Sequence, residues 1–179
     1  MILELLIPKL MAITSGKNSK NIYLDNVSVI GNYVFDGAEN VEVHNSTFIS
    51  KDAFWNCKNV EIYDSTIDGE YLAWNTNNIK FINCKIESDQ GLNYIDYLTI
   101  KNSSLIHTDL AFEYVSNMDV ELNATIDSIK NPISGKISVP EIRTLIIDSN
   151  KVDPAKTEIV CSNIIKKVDH SDTNQQPKD

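Results

Sequence analysis

The feature that most restricts what this chain can fold into is a repeat with a period of nineteen. The segments Asn21-Ile-Tyr-Leu-Asp-Asn-Val-Ser-Val29, Asn40-Val-Glu-Val-His-Asn-Ser-Thr-Phe48, Asn59-Val-Glu-Ile-Tyr-Asp-Ser-Thr-Ile67, Asn78-Ile-Lys-Phe-Ile-Asn-Cys-Lys-Ile86 and Tyr97-Leu-Thr-Ile-Lys-Asn-Ser-Ser-Leu105 follow one another at that fixed interval, and a weaker copy starts at Asn117, one position late. Aligned in columns, Ile22, Val41, Val60, Ile79 and Leu98 are aliphatic. Leu24, Val43, Ile62, Phe81 and Ile100 are also apolar, with mostly polar residues between the two columns. This period-two alternation marks a strand with one buried face. Asn26, Asn45, Asp64, Asn83 and Asn102 form a further column, and Asn and Asp tolerate the left-handed backbone of a sharp corner. The second halves of the units are also in register, and the spacing predicts about three short strands per unit.

A unit of this length with no amphipathic helix cannot bury its apolar side alone. Its copies must stack. The expected fold is all-β, a parallel β-helix in which each coil lies about 4.8 Å from the next and like residues stack on like. Nineteen is not a multiple of six, which disfavours the left-handed hexapeptide form, and the usual crossover hand favours a right-handed solenoid. The segmentation expected is a non-repeating stretch over 1–17 (a cap, or a scar of lost coils), regular coils over 18–126, irregular final coils and a cap over 127–161, and a disordered polar tail over 162–179. An open first coil would expose backbone edges and invite self-association.

Several motifs then carry a resemblance. Gly31-Asn-Tyr-Val-Phe-Asp-Gly37, Lys51-Asp-Ala-Phe-Trp-Asn56, Gly69-Glu-Tyr-Leu-Ala-Trp-Asn75, Leu110-Ala-Phe-Glu-Tyr114, Asp127-Ser-Ile-Lys-Asn-Pro132 and Val152-Asp-Pro-Ala-Lys-Thr157 occur in order. Over about Asn18 to Cys161 the chain resembles the bacterial family known as domain of unknown function 3737. The resemblance implies a right-handed, pectin-lyase-like β-helix and no established activity. It also implies that this chain corresponds to the C-terminal portion of a longer member.

Charge narrows the partners. The 179 residues carry 25 acidic against 16 basic side chains, a formal net charge of −9, and Arg143 is the one arginine. Nucleic acid and anionic membrane surfaces are therefore disfavoured. The brief apolar start holds Glu4 and lacks a preceding basic residue, so it makes a poor secretion signal. Together with three ungrouped cysteines, this points to the cytoplasm. Cys57, Cys84 and Cys161 form no metal or redox motif, and His44, His107 and His170 fall in different columns, so no metal or cofactor is expected. Asn26, Asn45, Asn102 and Asn123 fit a glycosylation pattern, but three belong to the corner column and all four read as structural.

Two places can carry chemistry. Glu70 and Asp89 would sit on adjacent coils, within range for acid–base work, although exposed corners of an acidic protein carry carboxylates anyway. Trp55, Asn56, Trp74, Asn75 and Tyr94 would form an aromatic and amide patch able to stack sugars if the rings face outward. Stacked large apolar residues more often fill a core, so the tryptophans are expected inside. The leading expectation is a non-catalytic binding or scaffold solenoid that holds a carbohydrate or a protein along one flank. The alternative is a carbohydrate-active enzyme completed by upstream coils. The third is a remnant with no independent role.

Overall fold

The computed structural model describes residues 16–170 together with the backbone of two short segments, 3–5 and 10–12. The strands in chain order are β1 (Leu3–Leu5), β2 (Leu10–Ala12), β3 (Lys20–Asp25), β4 (Ser28–Asn32), β5 (Glu39–His44), β6 (Thr47–Lys51), β7 (Lys58–Tyr63), β8 (Thr66–Glu70) and β9 (Asn77–Ile82). They continue as β10 (Lys85–Asp89), β11 (Asp96–Ile106), β12 (Ser116–Leu122), β13 (Ile126–Lys130), β14 (Gly135–Ser138), β15 (Glu141–Ile147), β16 (Thr157–Val160) and β17 (Asn163–Asp169). One 3-10 turn, Pro154–Lys156, precedes β16.

All pairings between these strands are parallel, and the chain winds a β-solenoid of about eight turns. The first face is the column β1, β3, β5, β7, β9, β11, β12, β14 and β16. Its register reproduces the sequence repeat: Ile22 lies over Val41, Val41 over Val60, Val60 over Ile79, and Ile79 over Leu98. The second face is β2, β4, β6, β8, β10 and the later part of β11, with Val29, Phe48, Ile67, Ile86 and Leu105 in line. These columns are buried and form one continuous core. Two strands per coil replace the three expected. The third side of each early coil is a chain of turns, because every second residue there, such as Asp52, Phe54 and Asn56, is left-handed and interrupts a flat ladder.

Both ends depart from the expected segmentation. The first strand already follows the repeat, since Leu3 pairs with Ile22 and Leu5 with Leu24, so the start of the chain contributes a coil. At the other end the period slips while stacking continues. Leu98 pairs with Met118, Met118 with Gly135 and Gly135 with Thr157, so one step is slightly long, the next short and the third long again. Gly135 makes the short step possible. Its φ is +117°, and a Cβ there would lie 2.3 Å from the Met118 backbone. In these last turns the third side becomes a true sheet, β13–β15–β17. Residues 163–169, expected to be disordered, form β17, because Ile164 and Val168 pair in register with Ile142 and Ile146. The remainder of the expected tail, 171–179, lies outside the described residues.

The corners explain the asparagine columns. Asn21, Asn40, Asn59 and Asn78 have φ of 57–63°, and Asn26, Asn45, Asp64, Asn83 and Asn102 have φ of 46–55°. Side-chain amides then bond from coil to coil. Asn40 Nδ2 donates to Asn21 Oδ1 at 3.0 Å, Asn59 to Asn40 at 3.0 Å and Asn78 to Asn59 at 3.1 Å. A second run links Asn102 to Asn83 and Asn83 to Asp64, and a third links Asn75 to Asn56 and Asn56 to Asp36. Beside one corner column, Ser46, Ser65, Cys84 and Ser103 are buried. The seryl oxygens and the Cys84 sulfur bond to the carbonyls of His44, Tyr63, Lys101 and Ile82.

Two outcomes follow from these corners. Asn59→Gly keeps the left-handed backbone and loses only the amide bonds, so it should cost about 1 kcal/mol in urea denaturation. Asn59→Ala also loses the backbone preference and should cost about 2–3 kcal/mol; equal costs would show that the corner conformation is not what asparagine supplies. The buried thiols report alkaline unfolding. Burial pushes Cys57 up to about 12 and Cys84 up to about 11 from an ordinary value near 9. The unfolded chain therefore deprotonates first, and stability held below pH 9 is lost as pH climbs through 9–12. In the double variant Cys57→Thr with Cys84→Ser, which copies Thr76 and Ser65 one coil away, the melting temperature should match the parent at pH 7 and fall less steeply above pH 9.

Candidate functional site

The turn side of the early coils projects the site. In the segment Asp52 to Asn56, residues Asp52, Phe54 and Asn56 have φ of 54°, 59° and 53°, and Ala53 and Trp55 lie between them. Each left-handed residue reverses the backbone amide. Asp52 N donates to Glu70 O in the next coil, Phe54 N to Val34 O in the previous coil, and Asn56 N to Trp74 O in the next. Side chains no longer alternate, so Ala53 and Phe54 both turn inward and are fully buried. Trp55 and, one coil on, Trp74 are pushed to the outer surface and left half-buried. The expectation that the tryptophans fill the core fails for this reason.

Trp55 and Trp74 stack face to face, 5.6 Å between centroids and 4° from parallel. Each indole N–H is satisfied, Trp55 by the Tyr71 carbonyl at 2.5 Å and Trp74 by the Gln90 carbonyl at 2.6 Å. Tyr33 packs edge-on to Trp55 at 5.9 Å, Tyr94 meets Trp74 at 5.3 Å, and Tyr114 meets Tyr94 at 5.8 Å. The result is an unbroken ridge, one ring per coil over five coils, with Tyr71 against its flank at 5.3 Å from Trp74. Tyr33 is 52% and Tyr94 42% exposed. Asn56 and Asn75 run alongside, exposed and hydrogen-bonded to each other at 2.8 Å.

All five residues expected to bind a ligand are thus brought to one flank. Tyr33, Tyr71 and Tyr114 complete the ridge and are not singled out by the sequence reading. Tyr33 and Tyr71 recur at twice the repeat length, and that is the available signal. Beside the ridge, on the second face, lies a trough of about 570 Å³ with Ile30, Ile49, Gly31 and Gly69 among its lining, together with Asn32, Lys51, Asp68 and Glu70. Asn32, Lys51 and Glu70 are followed directly in the chain by Tyr33, Asp52 and Tyr71, so trough and ridge share an edge.

Glu70 and Asp89 are register partners on β8 and β10, as the repeat requires. Glu70 is already bound by Lys51 at 2.7 Å, from the coil on its other side, and Asp89 is exposed. The carboxyl in an unusual setting is Asp52, 7% exposed at the trough edge. Burial pushes its carboxyl above the usual range and the Glu70 charge adds to that, against the opposing pull of Lys51 and the Tyr33 hydroxyl.

A second aromatic row lies on the first face. His44 stacks on Tyr63 at 4.8 Å, nearly parallel, and touches Tyr23 on its other side. His44 Nε2 lies 2.7 Å from Glu42, while Glu61 accepts from the Tyr63 hydroxyl and from Lys80. The Tyr63 bond and the Lys80 charge hold the Glu61 carboxyl below its usual range, and Glu61 in turn pushes Tyr63 up to about 12. Every charged group in this row is engaged by a neighbour. Among the described residues no group of three or more His, Cys, Asp or Glu is placed to hold a metal ion, and no helix is long and apolar enough to cross a membrane.

The family profile described as "Protein of unknown function (DUF3737)" matches residues 9–160. The chain belongs to this family. The DUF3737 match reaches upstream of Asn18 into the coil that contains β2, in line with the pairing seen there. No curated protein and no solved structure matches significantly.

The Asp52 environment gives a direct check. The unfolded chain ionises this carboxyl at lower pH than the folded chain does. The penalty is therefore absent in acid and fully present at neutral pH. Asp52→Asn keeps an Asx residue at the left-handed corner and should raise the melting temperature at pH 7, with the gain vanishing as pH falls below about 4.

Proposed function

We propose that this DUF3737 protein is a non-catalytic binding solenoid whose aromatic flank takes a glycan. The observation that carries the reading is the ridge from Tyr33 to Tyr114, a continuous row of rings along the outer surface. Sugars present apolar C–H faces and polar rims, and they are held by aromatic rings with amides and carboxylates beside them. The ridge offers both, with Asn56 and Asn75 along one side and the trough along the other. The two tryptophan faces cover each other, so the exposed Tyr33 and Tyr94 rings make the main contact and the tryptophan edges line the path. Glu70 is assigned to fixing the coil through Lys51 rather than to proton transfer.

A glycan array probed with the purified full chain tests this. Binding should quench or shift tryptophan fluorescence, since both indoles lie on the path. Tyr94→Asn places in the column the residue that Asn56 and Asn75 already supply, so it should fold normally and weaken binding at least about tenfold. A blank array with no fluorescence response would overturn the reading.

A further inference from the structure

We infer that the glycan is gripped at one corner of the solenoid, where two amide ladders stop on the same rung. The rings of Tyr97 and Tyr94 and the open amides of Asn78 and Asn75 hold it, and the sugar unit held there carries two adjacent free hydroxyls. This rests on the glycan-binding reading and adds to it a contact residue off the ridge, Tyr97, and the polar chemistry of the sugar.

The two ladders climb the same corner. The amides Asn21, Asn40, Asn59 and Asn78 follow one another upward, and Tyr97 is next in their column, since Asn77 pairs with Asp96 and Ile79 with Leu98. The neighbouring run climbs from Asp36 through Asn56 to Asn75, and Tyr94 is next in that column. Both runs therefore end under a tyrosine of the same coil. On the far side of the break, Asn117 follows Tyr97 in the column and bonds past it, donating to Asp96 at 2.7 Å.

Tyr97 has φ of 62°, a backbone that bulky residues avoid, and it is 55% exposed. Among the described residues it makes no ring contact and its side chain no hydrogen bond. Asparagine at this position would accept the backbone and carry the ladder on from Asn78. Tyr97 is thus unfavourable for the fold, and no ring or hydrogen bond of the fold compensates for it. A local rule broken without compensation marks a functional position.

The open amides supply the polar half of the grip. Inside a run each amide oxygen is taken by the Nδ2 of the coil above. At the heads it is not. Asn75 donates to Asn56 at 2.8 Å and Asn78 to Asn59 at 3.1 Å, and among the described residues neither Oδ1 receives a bond in turn. Each exposed head amide therefore offers an N–H and a carbonyl oxygen side by side. Two neighbouring sugar hydroxyls, one donating and one accepting, match that pair. Asn75 is the stronger acceptor, because its run ends on the Asp36 carboxylate and a chain of hydrogen bonds polarises its members. The exposed tyrosine next in each column takes the apolar C–H face of the sugar.

An array of immobilised neutral, amino and uronic polysaccharides, probed with the full chain, tests both parts. Tyr97→Asn should weaken binding at least about tenfold, while Tyr97→Phe, which keeps the ring, should bind within about threefold of the parent. The melting temperature of Tyr97→Asn should equal or exceed that of the parent. Periodate treatment of the array, which splits the carbon–carbon bond between adjacent hydroxyls, should abolish the signal. Parent-level binding by Tyr97→Asn, with Tyr94→Asn still impaired, would overturn the role of Tyr97 and leave the glycan reading standing. A lowered melting temperature in Tyr97→Asn would show that the ring serves the fold and would overturn that role as well. A signal that survives periodate would overturn the adjacent hydroxyls. A blank array with the parent chain would overturn the inference together with the reading beneath it.

Discussion

Every coil must close on itself while keeping its strands in register with the coils on either side. The solution is left-handed backbone at fixed positions in each turn. L-residues other than glycine disfavour that conformation by about 1–2 kcal/mol each, and here it recurs at Asn, Asp, Tyr, Phe, Leu and Ala positions. Stacking offsets the cost. Left-handed residues recur at equivalent places from coil to coil, so an amide hydrogen turned along the axis meets a carbonyl of a neighbouring coil and, at asparagine, the side chain joins a ladder. Register, core and surface all follow from this arrangement, since shifting one coil by a residue would break several ladders at once.

The same constraint builds the aromatic ridge. The chain of turns between the two sheets abolishes strict alternation, so two consecutive side chains enter the core and the next is thrown outward. Trp55 and Trp74 lie outside for a backbone reason, and once outside they stack on each other because their coils are one rung apart. The flank carries one ring per rung although its rings come from three columns, Tyr33 from one, Trp55 and Trp74 from a second, and Tyr94 from the column of Asn56 and Asn75. The hydrogen bonds from both indoles to backbone carbonyls then fix the rings in place.

Much of this is legible in the sequence. The columns Val41–Val60–Ile79 and Phe48–Ile67–Ile86 identify strands, face and register, because period-two alternation within a fixed repeat leaves no other packing. The gathering of Trp55, Trp74 and Tyr94 on one flank is legible for the same reason. What does not read through is the direction of the tryptophans. Ala53 and Phe54 are both apolar and alternation cannot rank them, so the left-handed turns decide. The first coil is hidden because Leu3 and Leu5 carry the apolar pattern without an asparagine corner to announce it. The strand at 163–169 is hidden because its burial is slight and its offset from β15 departs from the repeat. Asp52 is hidden because its environment comes from Tyr33 and Glu70, neither of which neighbours it in the chain.

The amide ladders all point one way. In each link the donor belongs to the later coil and the acceptor to the earlier one, and a carboxylate stands at the foot of several runs: Asp36 receives Asn56, Asp64 receives Asn83, Asp25 receives Asn45 and Asp96 receives Asn117. A carboxylate accepts and has nothing to give, so it fits at a first rung and nowhere else in a run. The chemical ageing of this molecule has a built-in weak point in consequence. Slow hydrolysis of an interior amide such as Asn59 would set two acceptors against each other across one rung, while the same acid at the foot of a ladder is already the native residue.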